Sequence, residues 1–135
     1  VRVGELGQGE VLKVINNAVA AVNATAVAEG MLLARAAGID LDDFERVLAS
    51  GSAGSAMIEL KAGAMRERDF EPQFKLEHML KDVRLALEEA QTAGTPFESA
   101  AYAREVLDAA AEKGFGEQDF AALIEAFDEL SKRER

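Results

Sequence analysis

The stretch EVLKVINNAVAAVNATAVAEGMLLARAA, from Glu10 to Ala37, decides the fold of this chain. After Glu10 its only charged residues are Lys13, Glu29 and Arg35, and it contains no proline. Its commonest residue is alanine, the best helix former. The stretch therefore predicts one helix roughly 40 Å long, at about 1.5 Å per residue. Because a helix that is apolar on nearly all sides is expected to be buried on nearly all sides, we expect the rest of the chain to pack around it.

A membrane span is the main alternative interpretation of the same stretch. A span needs about 20 predominantly apolar residues, which the stretch has the length to supply. Asn16, Asn17 and Asn23, together with Lys13 and the weakly hydrophobic alanines, argue against a span. We therefore predict the core helix of a folded domain.

Length and composition predict one globular domain. The 135 residues suffice for one domain with a real core and are too few for two ordinary ones. The net charge of −10 argues against a nucleic-acid partner, because phosphate binding needs clustered cations. The lack of cysteine excludes disulfides and thiolate chemistry, and the one histidine, His78, is too few for a histidine-based metal site. The start has no signal-peptide pattern and no initiator Met, so we expect a cytoplasmic chain that is a piece of a longer protein.

Capping residues and apolar periods predict five further helices after Gly38. Asp40 can cap the second helix, and Ser55 can cap the third. The apolar positions of these two helices are Leu41, Phe44, Val47, Leu48, Met57, Ile58, Leu60 and Met65. Between them lies a loop of small residues, 50–55, and the charged segment 66–73 reads as a second loop.

The second half of the chain repeats this organisation. Helical periodicity from Phe74 to Thr92 ends at Gly94, and Thr95-Pro96-Phe97-Glu98 has the pattern of a capping box opening the next helix. That helix is expected to close at Gly114, and the last should run from Phe120 to about Lys132. The predicted fold is all-α: about six helices packed around one long, mostly buried N-terminal helix, with the end of a strand at residues 1–3.

A glycine-rich segment, Gly4-x-x-Gly7-x-Gly9, leads into the long helix. Glycines before a helix can cradle a phosphate. They also allow a flexible turn that passes close to a neighbouring segment, which this short pattern favours.

Lys13 and Asn17 are the residues of the long helix with the clearest chemical potential. Their spacing of four places both on one face. A lysine near a helix N-terminus is disfavoured by the helix dipole, and burial there favours the neutral amine. Such a lysine can act as a general acid or base, with the amide orienting a substrate oxygen. The alternative is a lysine that simply extends into water.

Lys81 and Asp82 form a charged pair in the predicted fourth helix, beside its apolar stripe. In isolation such a pair is a solvated ion pair that contributes little. His78 precedes Asp82 by four residues and can hydrogen-bond to it, for which a structural role is favoured over a catalytic one.

Several motifs, taken together and in order, resemble the helical C-terminal domain of the β-hydroxyacid dehydrogenases. This family includes 3-hydroxyisobutyrate dehydrogenase-like and tartronate semialdehyde reductase-like enzymes, whose second domain has the fold of the 6-phosphogluconate dehydrogenase C-terminal domain. The similarity covers essentially all 135 residues. The motifs are Gly7-x-Gly9-x-x-x-Lys13-x-x-Asn16-Asn17, Glu29-Gly30, Gly38-Ile39-Asp40, Phe74-x6-Lys81-Asp82-Val83, Thr95-Pro96 and Gly114-x-Gly116-x-x-Asp119-Phe120.

The resemblance implies a role for five residues. Lys13 matches the catalytic lysine, which protonates the alkoxide in the reducing direction. Asn17 matches a substrate-binding residue, and Lys81 matches a cofactor-binding lysine. Phe74 and Asp82 match substrate-binding positions in the cleft where nicotinamide and substrate meet.

The resemblance also implies what these residues would work with. The family's cofactor is NAD or NADP, held mainly by an N-terminal Rossmann domain whose glycine fingerprint is absent from this sequence. Residues 1–135 then read as one helical substrate and dimerisation domain. Its expected partners are a small hydroxyacid or semialdehyde, the missing Rossmann domain and a second copy of the chain, with no nucleic acid and no membrane. By itself the domain is expected to be inactive.

A non-catalytic helical oligomerisation or interaction domain is the competing hypothesis. The long apolar helix suits such a scaffold. The lysine motif and the Lys-Asp motif occurring together favour the enzyme.

Overall fold

Helix α1 spans Gln8–Ala36 and forms the surface on which the other helices assemble. The structure is a computed structural model that describes residues 7–127. After α1 follow α2 (Leu41–Ser50), α3 (Ala56–Glu67), α4 (Leu76–Ala93), α5 (Glu98–Ala110), a π-helical turn (Ala111–Phe115) and a short 3₁₀ helix (Phe120–Ala126). Within residues 7–127 the β-pairing consists of one isolated bridge, between Lys75 and Asp119. The all-α prediction is confirmed; the strand end predicted at residues 1–3 lies outside the described residues, as does the end of the last helix.

Several predicted helix boundaries are confirmed by their capping geometry. The Asp40 carboxylate accepts hydrogen bonds from the N–H groups of Asp42 and Asp43, at 2.8 and 3.2 Å, which satisfies donors that a helix start leaves free. Gly94 closes α4 with φ 69°, a left-handed conformation that glycine adopts without strain.

The capping box predicted at Thr95 is wrong. Helix α5 begins at Glu98, three residues later, with Phe97 as its N-cap residue. The reason is that Thr95 belongs to the preceding helix end: its N–H donates to the Ala90 carbonyl at 3.0 Å. A bond of this kind, from an N–H to the carbonyl five residues earlier, closes α4 together with Gly94.

Two other predicted segments differ in extent or type. Helix α3 continues to Glu67, into the segment predicted as a loop. The Ser55 side chain forms no capping bond, although Ser55 is the N-cap residue. The last helix is 3₁₀ over Phe120–Ala126 instead of α, and it begins where the Asp119 carboxylate accepts from the Ala121 N–H.

Helix α1 is less buried than its composition predicts. Nine of its 29 residues are buried, mostly alanines that allow α3, α4 and α5 to approach closely. On the other side four large apolar side chains remain exposed in residues 7–127: Leu12 (48%), Ile15 (37%), Val19 (44%) and Leu33 (71%). Together with Val22 and Ala26 they follow alternating steps of three and four residues along α1. Position 29 also falls on this spacing, but it is the charged Glu29. We call Leu12, Ile15, Val19, Val22, Ala26 and Leu33 the apolar stripe.

Only some of the apolar positions predicted for α2 and α3 are buried. Phe44, Met57, Ile58 and Met65 are buried as predicted, whereas Val47 and Leu60 are exposed. By length and composition alone α1 could also span a membrane. Its buried face, however, packs on helices of the same chain, as in the core of a folded domain.

Candidate active site

Lys13 and Asn17 lie one turn apart on the N-terminal half of α1, on the flank that faces α4. At 3.6 residues per turn they point roughly 150° away from the middle of the apolar stripe. Asn17 is half-buried, whereas Lys13 is exposed. Residues 7–127 therefore do not provide the burial on which the expected activation of Lys13 depends.

The Asn17 side chain joins α1 to α4. Its Nδ2 donates a hydrogen bond to Asp82 Oδ2 at 2.7 Å, between residues 65 apart in sequence. Because a carboxylate oxygen accepts and an amide nitrogen donates, this contact fixes which end of the amide faces Asp82. The other end of the amide, Asn17 Oδ1, accepts a long contact of 3.5 Å from Asn16 Nδ2. The structure thus brings together two of the five predicted site residues by direct contact.

Lys81 is exposed and adjacent to Asp82 on α4. In the part of the chain that the structure describes, neither Lys81 nor Lys13 forms a hydrogen bond or ion pair. Each residue of the Asn17–Asp82 bond thus has a lysine near it in sequence. Lys81 is adjacent to Asp82, and Lys13 lies one helical turn before Asn17. Such cations are available to an anionic ligand.

Phe74 stands just before α4, about two turns ahead of Asp82. Its ring meets the Phe120 and His78 rings edge-on, with centroids 6.0 and 6.4 Å apart. The hydrogen bond considered between His78 and Asp82 is not formed within residues 7–127, because Asp82 pairs with Asn17. His78 is exposed and its ring contacts Phe74 instead.

A buried ion pair lies behind Phe74, and the sequence analysis missed it. Lys61 Nζ contacts both carboxylate oxygens of Asp119, at 3.0 and 2.9 Å, and the two residues are 5% and 2% exposed. The same ammonium stands 4.6 Å from the centre of the Phe120 ring. One signal could have found the pair: Lys61 falls on the buried face of α3 set by Met57, Ile58 and Met65, where a lysine needs a carboxylate partner.

The Asp119 carboxylate is held ionised by its partners. Burial by itself raises the pKa of Asp119. Hydrogen bonds from the Ala121 N–H, from Lys61 and from the Phe74 and Gln73 N–H groups outweigh burial and hold the pKa below its usual value. Asp119 therefore remains a charged anchor at neutral pH.

The candidate site is an open face of the domain. Three surface cavities, of about 160, 450 and 280 Å³, are lined by other residues, and none includes any of the five predicted site residues. In residues 7–127 no group of three or more histidine, aspartate and glutamate side chains is placed to hold a metal ion. The Asn17–Asp82 contact supplies an amide and a carboxylate, and the exposed Lys13 and Lys81 lie near them in sequence, a combination that suits an anionic organic ligand covered from the other side.

Comparison with known proteins identifies relatives along the whole described region. Residues 7–127 match the family model described as NAD-binding of NADP-dependent 3-hydroxyisobutyrate dehydrogenase. The chain is 33% identical over 131 residues to glyoxylate/succinic semialdehyde reductase 2 of Arabidopsis thaliana, covering 97% of this chain and 37% of that protein. It is 33% identical over 126 residues to 2-hydroxy-3-oxopropionate reductase of Escherichia coli, covering 93% and 43%.

The fold comparison agrees with the sequence comparison. The chain superposes on a crystal structure of 3-hydroxyisobutyrate dehydrogenase from Salmonella typhimurium with a TM-score of 0.83 and 30% identity, over 88% of this chain and 42% of that one. The chain thus spans less than half the length of the relatives it matches.

Proposed function

Because this chain belongs to the NADP-dependent 3-hydroxyisobutyrate dehydrogenase family, we propose that it is the helical domain of an NAD(P)-dependent oxidoreductase. The reaction we propose interconverts a small β-hydroxyacid and its semialdehyde. Two relatives are named as reductases of semialdehydes or of an oxo acid. Since this chain covers about two fifths of their length, we assign the activity to a full-length protein that joins it to a dinucleotide-binding domain.

The observation that carries the proposal is the Asn17–Asp82 hydrogen bond. It ties the lysine motif of α1 to the Lys-Asp motif of α4 at 2.7 Å. Two motifs that are 65 residues apart therefore form one face.

Lys13 is the proton-transfer residue in this proposal. Its ammonium is exposed and without an ion-pair partner in residues 7–127, so it can reach a bound carbonyl oxygen. In the reducing direction it donates a proton to the alkoxide oxygen as that oxygen becomes basic, and in the oxidising direction it accepts the hydroxyl proton.

Asn17, Asp82 and Phe74 hold the substrate in this scheme. The Asn17 Oδ1, which has a long 3.5 Å contact with Asn16 Nδ2, can accept a hydrogen bond from a substrate hydroxyl, while Asp82 holds the Nδ2 end of the amide. The Phe74 ring supplies an apolar wall, since it is fixed against Phe120 and only partly buried. Positioning of this kind lowers the barrier because the reacting atoms are already aligned.

The exposed cation Lys81 fits an anionic dinucleotide. It is adjacent to Asp82 and has no hydrogen-bond or ion-pair partner within residues 7–127. NAD or NADP, when bound, supplies or accepts the hydride. In this chain the contribution of Lys81 is to hold a negatively charged part of that cofactor.

The decisive experiment is a turnover assay of the full-length protein. We expect oxidation of NADPH or NADH with small semialdehydes and the reverse reaction with the corresponding β-hydroxyacids. Simple aldehydes without a carboxylate serve as the control panel. A folded full-length protein that turns over none of the semialdehydes with either cofactor would exclude the proposal.

The second candidate function is a non-catalytic oligomerisation domain, which the apolar stripe favours. We propose that the stripe binds a second copy of the chain in either case. Leu12 and Leu33 lie equally far from the midpoint between Val22 and Asn23, as do Val19 and Ala26. An antiparallel pair of α1 helices around a two-fold axis at that midpoint would therefore place Leu12 opposite Leu33 and Val19 opposite Ala26 of the second copy. An inactive full-length protein that still dimerises would favour the scaffold.

A further inference from the structure

We propose that Lys61 and Asp119 form a positioning pair, which fixes Phe74 and the start of α4 at the edge of the candidate site. The inference rests on the proposed function, because Phe74 matters to the chemistry only if this face binds substrate. The Lys61–Asp119 contact itself needs no such assumption. Neither residue is among the predicted site residues.

The Asp119 carboxylate collects five hydrogen bonds from three separate parts of the chain. Oδ1 accepts from Lys61 Nζ and from the N–H groups of Gln73 and Phe74, each at 3.0 Å. Oδ2 accepts from Lys61 Nζ and the Ala121 N–H, each at 2.9 Å. A carboxylate has about four lone-pair positions, so these bonds use its whole capacity. Two of its partners are the backbone amides that lead into α4.

The Phe74 backbone is held from both sides by the same segment. Its N–H donates to Asp119 Oδ1, and its carbonyl accepts from the Phe120 N–H at 3.0 Å. The Phe120 ring meets the Phe74 ring edge-on, and its face carries the Lys61 ammonium. Lys61, Asp119 and Phe120 thus set both the position and the ring orientation of Phe74.

The start of α4 is held by the residues just before Asp119. A helix start leaves its first N–H groups without partners in the helix. Here the Leu76 N–H donates to the Gln118 carbonyl at 2.8 Å, and the Glu77 N–H donates to the Gly116 carbonyl at 2.9 Å. Because Lys81 and Asp82 follow on α4 about one and a half turns later, a displacement of the segment 116–119 would shift them as well.

Lys61 is the member of the pair that can be removed with the least direct damage. Lys61→Met keeps an unbranched apolar stem on α3 and removes none of the three backbone N–H groups that donate to Asp119. The buried carboxylate then lacks its countercharge and must take up a proton, water or a new position. We expect Phe74 to lose its fixed place while the helices persist.

The single histidine provides a reporter next to Phe74. His78 is the one histidine of the 135 residues, so its imidazole signals are unambiguous in an NMR spectrum. They should feel the ring current of Phe74, whose centroid lies 6.4 Å away. In Lys61→Met we expect these signals to shift, with helix content by circular dichroism unchanged. The matched control is Arg84→Met, which breaks the exposed Arg84–Asp108 pair from α4 and should leave them in place.

A measurement on the unaltered chain covers the case in which Lys61→Met fails to fold. The Gln73 and Phe74 amides should exchange their hydrogens as slowly as amides in the middle of α4, because Asp119 holds them. Fast exchange at both would overturn the proposal, as would an unmoved His78 signal in folded Lys61→Met.

Kinetics of the full-length protein then test the link to the reaction. Lys61→Met should raise the KM for the semialdehyde about tenfold or more with a smaller change in kcat, since a displaced wall weakens ground and transition state alike. A shifted His78 signal with unchanged KM would reject the positioning role. If the full-length protein is inactive from the start, the proposed function fails, while the NMR and exchange measurements still decide whether the pair fixes Phe74.

Discussion

The Asn17 amide and the Asp82 carboxylate are joined by a 2.7 Å hydrogen bond that makes one face out of two helices. In the proposed site, this bond gives different roles to two residues that the family resemblance groups together as substrate-binding. One Asp82 oxygen accepts from the Asn17 Nδ2 and thereby orients the amide, while the Asn17 Oδ1 can accept a hydrogen bond from a ligand. A ligand that donates a hydrogen bond, such as a hydroxyl group, complements that oxygen.

Removal of Lys13, the proposed proton donor, should lower the turnover rate more than any other change on this face. In the full-length protein Lys13→Ala should lower kcat by about 10² to 10⁴, the usual contribution of general acid–base catalysis. Glu10→Ala, an exposed position one turn earlier, is the control and should leave kcat near that of the unaltered protein. Folded Lys13→Ala with near-normal turnover would remove Lys13 from the proton-transfer role.

The exposed cation on α4 should affect cofactor binding instead. Lys81→Ala should raise the KM for NAD(P) with kcat little changed, because a cofactor-holding charge acts in ground and transition states alike. The control is Arg84→Ala, three residues further along the same helix. A fall in kcat without a change in cofactor KM would argue for a direct part in the chemistry.

The orienting role of Asp82 can be separated from a direct contact with substrate. Asp82→Asn keeps the shape but lets the Asn17 amide rotate, because an amide can both donate and accept. We expect a higher KM for the hydroxyacid, and the same KM in Asn17→Ala and in the Asn17→Ala/Asp82→Asn double variant. Additive losses in the double variant would show that Asp82 acts independently of Asn17.

The buried pair predicts how stability depends on pH. The folded-state pKa of Asp119 lies below its ordinary value of 3.8. Its contribution is therefore fully present above that ordinary value and is lost as pH falls through the lower folded pKa. Urea unfolding at pH 6, 4 and 3 should show the free energy of unfolding falling toward acid, less steeply in Asp119→Asn. In the exposed control Asp43→Asn the slope should match that of the unaltered chain.

The antiparallel register of the apolar stripe can be tested by cross-linking, because the chain has no cysteine of its own. Within one helix, residues 19 and 26 are about 10 Å apart, beyond the reach of a disulfide. The double variant V19C/A26C should nevertheless form covalent dimers on oxidation, whereas V19C alone should not. Self-cross-linking of V19C would indicate parallel pairing, and monomers in sedimentation of the unaltered chain would reject the interface.

The features that could be predicted from the sequence are those that depend on a few neighbouring residues, such as helix caps and helix ends. The Asp40 cap and the Gly94 helix end were predicted because each is decided by its immediate neighbours. Thr95 was misassigned because it has the chemistry of a helix start, yet its N–H serves the end of the helix before it. Local patterns compete at such junctions, and the backbone path decides between them.

In the candidate site, too, the individual residues could be predicted from the sequence, whereas contacts between distant residues could not. Family resemblance supplied Lys13, Asn17, Phe74, Lys81 and Asp82, and the fold added the contact between Asn17 and Asp82. Lys61 and Asp119 escaped because they are 58 residues apart and each alone looks like a surface charge. The exposure of α1 could not be predicted from composition either. A high alanine content predicts a helix, but it does not determine how many sides of that helix the rest of the chain covers.

The two faces of α1 also bear on how such a protein can change over generations. The apolar stripe and the Lys13–Asn17 flank point roughly 150° apart on one helix. If copies pair through the stripe and substrate binds on the Lys13–Asn17 flank, as proposed above, substitutions on the stripe alter association while leaving that flank intact, and the reverse holds as well. Assembly and substrate preference would then diversify as two separate traits of one rigid helix.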